Sequence, residues 1–346
     1  MKNRYWAGFL LAQFVLYWIL SKISSAAKAY AYFFELQKNI HQFCFSWIPF
    51  SVGDIFYTVL VPYLLYAVVQ LFNRKKRTLY LRRILVLFNF LYFIYQLFWG
   101  SLYYQPPLID RLSPKETTIE DAKLLTNVYL QKCLNTRKLT NQTKSKLFEI
   151  KDLEKIKKEI ITTQINLPKI ITKKPTTSIS IKPSLFGGYM NYSGILGYYN
   201  PFTAEAQFNQ NLPDTYIPFT IAHESAHQLG YAREQEANFV GYLIGINSNN
   251  TELKYSTEFF VLKSLLNYVI LNNEEDFAKE IISQFSQEMK KDLQEEKDFR
   301  KKHSGKVDDF FGFTNDVFLK FNQQEGSITY SYFIDLLLKY ELYSEL

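Results

Sequence analysis

The sequence predicts a mainly α protein with a small β-sheet, an α+β domain carried behind three transmembrane helices. Three observations lead there. Aromatic and aliphatic residues crowd the first hundred positions of the 346-residue chain, and the remainder is polar and lysine-rich. Three apolar runs in that first part match the ~20 residues that a bilayer core requires of a helix. Beyond residue 105 the apolar positions recur mostly with a helical period, interrupted by a short alternating stretch. The boundary is predicted at 104, with 1–104 a membrane domain and 105–346 an extracytoplasmic domain long enough to bury a core. Within it, 186–247 holds the residues that carry chemistry.

The apolar runs are 5–21 (YWAGFLLAQFVLYWILS), 54–72 and 84–104. Trp and Tyr lie near several of their ends, as interfacial anchors do. Pro62 falls inside the second run, where a membrane helix tolerates a kink. The opening MKNR resembles the start of a signal peptide, but no small-residue cleavage site precedes a globular domain and two more spans follow, so the first span is retained. MKNR and the 73–83 segment NRKKRTLYLRR, with six Lys or Arg, are the basic flanks. The longer 22–53 segment holds three lysines. The positive-inside rule then places the N-terminus and 73–83 in the cytoplasm and everything past 105 on the opposite side. A lipid bilayer is therefore the first expected partner. Nucleic acid is excluded, because despite the net charge of +7 the remaining lysines alternate with glutamates and form no basic stripe. Cys44 and Cys133 are too few for a disulfide framework; they read as one pair or as two packed thiols.

In the second part, Thr117 and Glu120 have capping-box spacing ahead of a helix reaching Arg137. A Lys/Glu-rich helix is predicted over 143–163. The 176–186 segment alternates like a strand, 187–201 is rich in turn residues, and FTAEAQFN (202–209) reads as a further strand and a possible cleft edge. Pro218 suits the first turn of a helix ending at Leu229, with Gly230 as its stop. Helices follow over 232–246, 251–271, 274–301 and 330–342.

The helix over 219–229 carries His223-Glu224-Ser225-Ala226-His227. Residues four apart share a helix face, so both imidazoles can reach one metal ion. This is H-E-x-x-H, in which the histidines bind Zn2+ and the glutamate, Glu224, is the general base. A third ligand is needed. A metzincin would place histidine at 233, but Arg233 stands there. The pattern Glu234-Gln235-Glu236-Ala237-Asn238 instead fits the E-x-x-A-[DN] helix of glutamate zincins, with Glu234 as ligand, Glu236 as the alternative, and Asn238 bonded to a ligand histidine from behind. Ala237, Gly241 and Gly245 continue the Glu234 face with small residues that admit a close helix neighbour. Tyr198, Tyr199, Tyr231 and His303 are candidates for an oxyanion donor, and Glu205 for a further group at the site. The alternative to all of this is a plain buried histidine pair.

The run from Gly197 to Leu243, with its HESAHQLG and EQEANF core behind N-terminal spans, resembles DUF3810, a bacterial family of membrane-anchored proteins of unknown function whose members are similar to zincins. The resemblance implies a zincin-like α+β domain in a multi-pass protein of the bacterial inner membrane, facing the periplasm. It implies no substrate. The expected function is a membrane-anchored zinc metallohydrolase, a peptidase acting on an unknown peptide or protein. Two other readings remain: a catalytically inactive zincin-like scaffold of the cell envelope, and a structural membrane protein with a coincidental motif.

Overall fold

A computed structural model describes residues 2–178, 180–305 and 329–343. Four long helices come first: α1 (Asn3–Leu20), α2 (Ser24–Ser46), α3 (Val52–Gln70) and α4 (Arg77–Phe98). Of these, α3 and α4 are each long and apolar enough to cross a membrane. Helices α1 and α2 meet that standard only together, and they are bent by 102° at the break between them. Among the described residues two single helices are therefore of membrane length, or three spans if the bent α1–α2 pair counts as one, where the sequence predicts three. Much of the segment expected to link the first two spans is α2.

Helix α1 runs alongside α4 in the same direction. Asn3 Nδ2 donates to Thr78 O (3.0 Å), Gln13 Nε2 to Asn89 Oδ1 (2.7 Å), and Tyr17 meets Tyr92 edge-on. The short 71–76 turn makes α3 run opposite to α4, with Tyr66 and Tyr80 hydroxyls 3.3 Å apart near it. The basic residues of both flanks thus gather at one end of this helix group. The rest of the protein sits at the other.

After two 3-10 turns (Gly100–Tyr104 and Leu108–Arg111), α5 (Ile119–Arg137) and α6 (Leu153–Gln164) follow. The capping box of α5 is Thr118 with Asp121, one residue later than the Thr117–Glu120 pair. Helix α6 starts ten residues later than its charge pattern predicts, because Asp152 caps it and 142–148 folds back through a Gln142–Phe148 bridge. Then come β1 (Ile181–Pro183), α7 (Gly187–Ser193), β2 (Gly197–Asn200) and β3 (Glu205–Phe208). The sheet order is β1-β3-β2, with β1 parallel and β2 antiparallel to β3. The 202–209 strand is therefore the buried centre of the sheet, and β1 and β2 are its edges, β2 the more exposed. Tertiary burial decides this: all four β3 residues are buried, whereas three of β2 are only half-buried.

Helices α8 (Ile217–Leu229), α9 (Glu234–Ile246) and α10 (Thr251–Leu271) form the core with α5 and α13 (Thr329–Tyr343). The expected 274–301 helix is two: α11 (Glu275–Ser283) and α12 (Gln287–His303), separated because Ser286 caps α12 through the Met289 N–H. Gly241 lets α9 close on α8, since a Cβ there would lie 2.9 Å from the His223 backbone nitrogen. Gly245 instead backs onto Thr257 of α10.

The packing does not break at residue 104. Helix α2 lies on the C-terminal end of α8, where Lys38 Nζ donates to Leu229 O (3.3 Å) and Gln42 Nε2 to Gln228 O (2.8 Å). These are carbonyls that a helix end leaves without partners of its own. At the start of α3, Glu205 accepts from the Val52 and Gly53 N–H groups (3.2 and 2.6 Å), and Lys182 pairs with Glu205 while donating to Phe45 O and Phe50 O. Asp54 accepts from Ser184 Oγ, from Leu185 N and from the Tyr198 hydroxyl. All three charges, Lys182, Glu205 and Asp54, are buried. A buried charge is tolerable only when paired and fully hydrogen-bonded. The sheet and the adjoining ends of the long apolar helices are thus one structural unit.

Candidate metal centre

Three side chains converge where α8 meets α9. His223 Nε2 lies 3.3 Å from one Glu234 carboxylate oxygen, and His227 Nε2 lies 3.6 Å from the other. One donor atom from each of the three falls within 4.8 Å of the rest, and this is the one such grouping among the described residues. The local sequence explains the geometry. Histidines one turn apart share the α8 face, with rings 4.8 Å apart and nearly perpendicular. Gly230 then adopts φ +106°, a left-handed conformation open to glycine, which stops α8 and turns the chain back. The turn brings the Tyr231 carbonyl to 2.7 Å from His227 Nδ1. Helix α9 begins at Glu234, so that its first residue faces α8.

Both imidazoles are held from behind. His227 Nδ1 must donate to Tyr231 O, because a carbonyl only accepts, and its Nε2 is left with a lone pair aimed at the cluster. His223 Nδ1 lies 2.8 Å from Asn238 Oδ1, one turn beyond Glu234 on α9. Electrostatics set matching charge states. Burial holds His227 down at about 4, against the pull of Glu234. Burial pulls Glu234 upward, but the two imidazoles, His227 first, outweigh it and hold the carboxyl down at about 2. His223 is raised, since the Glu234 carboxylate outweighs its desolvation. Two imidazole nitrogens and a carboxylate pointed at one spot are a borderline-to-hard donor set, in which a cation can take the place of the His223 proton that pairs with Glu234. This N2O set suits Zn2+.

Glu224 sits beside the cluster on α8, 3 % exposed. Burial, with a smaller contribution from Glu234, raises it to about 8, and His223 opposes. Its Oε2 is buried and has no hydrogen-bond partner within the chain. Gly197 of β2 makes room for it: a Cβ there would lie 2.5 Å from Glu224 Oε1. The edge strand therefore runs past the carboxylate at backbone distance. These observations, an orphaned buried carboxylate oxygen and two back-bonded imidazoles beside a carboxylate, fit a bound zinc ion.

Among the remaining candidates, Glu236 does not join the cluster. It accepts from Leu108 N (2.7 Å) and pairs with Arg233 (3.2 Å), and Arg233 in turn donates to Tyr103 O and Gln105 O. Glu236 and Arg233 tie α9 to the chain as it leaves α4, and the alternative-ligand expectation for Glu236 is corrected. Glu205 serves the start of α3, as described, and not the centre. Tyr198 is engaged by Asp54. Tyr231 contributes its carbonyl, while its hydroxyl is buried elsewhere. His303 packs between Phe299 and Tyr192, with Nδ1 on Phe299 O. Tyr199 alone of the tyrosine candidates is brought against the cluster, its ring 6.5 Å from that of His227. Cys44 is exposed and Cys133 buried, and both are free thiols.

One wall of the site has no signal in the sequence. Trp99, at the end of α4, stacks on Tyr199 (4.3 Å) and meets His227 edge-on (5.5 Å). Its residue type signals only an interfacial anchor, and a contact across more than a hundred residues leaves no local trace.

The family described as "Protein of unknown function (DUF3810)" matches the chain over residues 30–338. No curated protein and no solved structure matches it.

Proposed function

The chain belongs to the DUF3810 family, and from its site we propose that it is a membrane-anchored zinc metallohydrolase, a peptidase of the glutamate-zincin type. The observation that carries the proposal is the convergence of His223, His227 and Glu234 within 4.8 Å beside a buried, partly unbonded Glu224. His223, His227 and Glu234 would hold the ion, and Asn238 and the Tyr231 carbonyl would orient the two imidazoles. Zinc at such a centre acidifies water and polarises a carbonyl oxygen. Glu224 accepts the proton of the attacking water and delivers it to the departing amine nitrogen. Its carboxylate has one oxygen free of hydrogen bonds within the chain, which can take up and pass on that proton. Trp99 and Tyr199 screen the His227 side from water. The Gly197 edge strand packs directly against Glu224 and fixes the carboxylate's position.

The same reading includes three spans, with α1 as the third, and a domain on the extracytoplasmic side of a bacterial inner membrane. It is supported by the basic flanks, which gather at the helix ends opposite the site, as the positive-inside rule requires.

The test is metal content of the full chain in detergent, then hydrolysis of a peptide library. One zinc per chain is expected in wild type, in Glu224→Gln and in Glu236→Gln, and loss in His227→Ala and Glu234→Ala. Peptide cleavage should fall by ~10²–10⁴-fold in Glu224→Gln. Wild type without zinc under zinc-replete conditions sinks the metal reading. Zinc with cleavage equal in wild type and Glu224→Gln sinks the enzyme reading and leaves a scaffold.

A further inference from the structure

Helix α2 carries two stripes of opposite character. One faces the domain: Phe34 against Gly230, Lys38 against Leu229 O, and Gln42 against Gln228 O. The other is Tyr32, Leu36, Ile40, Phe43 and Trp47, exposed by 68, 56, 69, 67 and 74 %. Steps of four, four, three and four residues hold these five on one helix face, pointing away from the domain. A bare apolar stripe this long marks a surface that something covers.

The helix directions identify the cover. Helix α2 leaves α1 at 102°. It crosses the outer end of α4, where Tyr30 donates to Leu97 O (2.7 Å) and the His41 ring lies 4.5 Å from Phe98. A helix crossing the end of a bilayer-length helix near a right angle lies along the bilayer plane. Tyr30 and His41 lie on the other side of α2 from the stripe, so the stripe faces outward at the level of the end of α4, where Trp18 and Ile19 of α1 are also exposed.

We infer that α2 is an in-plane membrane helix whose Tyr32–Trp47 stripe seats in the lipid interface while its other face grips the end of α8. The bilayer is the occupant of the stripe. The seat fixes the His227 end of the donor cluster close to the membrane surface, because α2 holds the carbonyls of Gln228 and Leu229, the residues directly after His227. The inference is independent of whether the cluster binds metal.

The test uses the full chain in phosphatidylcholine/phosphatidylglycerol vesicles with nitroxide probes read by power saturation against oxygen and a water-soluble nickel chelate. Cys44, beside the stripe, is the exposed thiol of the chain, so one probe needs no substitution. Others follow in a Cys44→Ser background at Tyr32→Cys, Leu36→Cys, Ile40→Cys, Phe43→Cys and Trp47→Cys. All sites should favour oxygen over nickel and report one depth, ~5–10 Å below the headgroups. Nickel-accessible probes at Cys44 and along the stripe overturn the inference. A steady change in depth of ~20 Å from 32 to 47, the rise of a helix running through the bilayer, overturns it equally.

Discussion

His223 Nδ1 lies 2.8 Å from the side-chain oxygen of Asn238, and Asn238 stands one helical turn beyond Glu234. The same short helix therefore supplies both a donor to the cluster and the group that orients another donor. Removing such a back-bonding partner typically costs 10–100-fold in metal affinity. Asn238→Ala should weaken zinc binding by that factor, read by competition with a chromogenic chelator, while the chain stays folded. Unchanged affinity would show that the His223 ring is held by packing alone.

Gly197→Ala separates metal binding from chemistry. The added methyl would meet Glu224 Oε1 at 2.5 Å and Gln207 O at 2.9 Å. The strand backbone cannot retreat without leaving β3, so the carboxylate must swing away. Overpacking of this kind costs ~1–3 kcal/mol. The variant should keep its zinc, melt somewhat lower and lose peptide cleavage about as fully as Glu224→Gln. Full cleavage activity in Gly197→Ala would contradict the placement of Glu224 against β2.

The predicted boundary at 104 has a direct consequence. Cutting there removes the donors to Gln228 O and Leu229 O and the N–H groups that bond Glu205. It also strips Trp99 from His227. Leaving a buried charge without its partners costs ~3–5 kcal/mol, a large share of a typical domain's stability. The 105–346 piece should show no cooperative melt and hold less zinc than the one per chain expected of the full chain in detergent. A cooperative, zinc-replete 105–346 piece would show that the membrane helices only tether.

Lys173 gives a pH signature. Its Nζ donates to Gln105 Oε1 (2.7 Å), just where the chain leaves the 3-10 turn after α4. Burial, with smaller help from Lys38 and Arg111, lowers it to about 8 from 10.5. Because the folded value is the lower one, between about 8 and 10.5 the unfolded chain keeps a proton that the folded chain has released. Stability from this group therefore rises with pH across that window and is flat below it. Melting temperatures of wild type and Lys173→Met, measured from pH 7.5 to 10, should shift relative to each other in favour of wild type as pH rises. A gap that stays constant over the range would mean the lysine is not desolvated.

How much of this was legible in the sequence depended on distance along the chain. His223, Glu224 and His227 lie within five residues, and one helical period places them. Gly230 as the stop of α8, and Glu234 with Asn238 on the next helix, lie within the following dozen and follow from turn chemistry and the same period. The Thr251–Leu271 helix matches its prediction from end to end, capped by Asn250. Misread elements were those where a tertiary partner overrode the local pattern. Strand β3 looked like an edge but is buried between β1 and β2. The 22–53 segment, expected only to connect two spans, forms α2 and caps the end of α8.

By itself the sequence determined the donor types, their helical spacing and the turn that folds one helix back on the other, because backbone periodicity and glycine conformation are local properties. Only the tertiary structure decided that Glu236 ties α9 to the chain leaving α4 while Glu234 faces the histidines, that Trp99 walls the cluster, and that Asp54, Lys182 and Glu205 join the sheet to the membrane helices. Those relationships depend on which buried group finds which partner across a hundred or more residues, and burial is a property of the assembled fold.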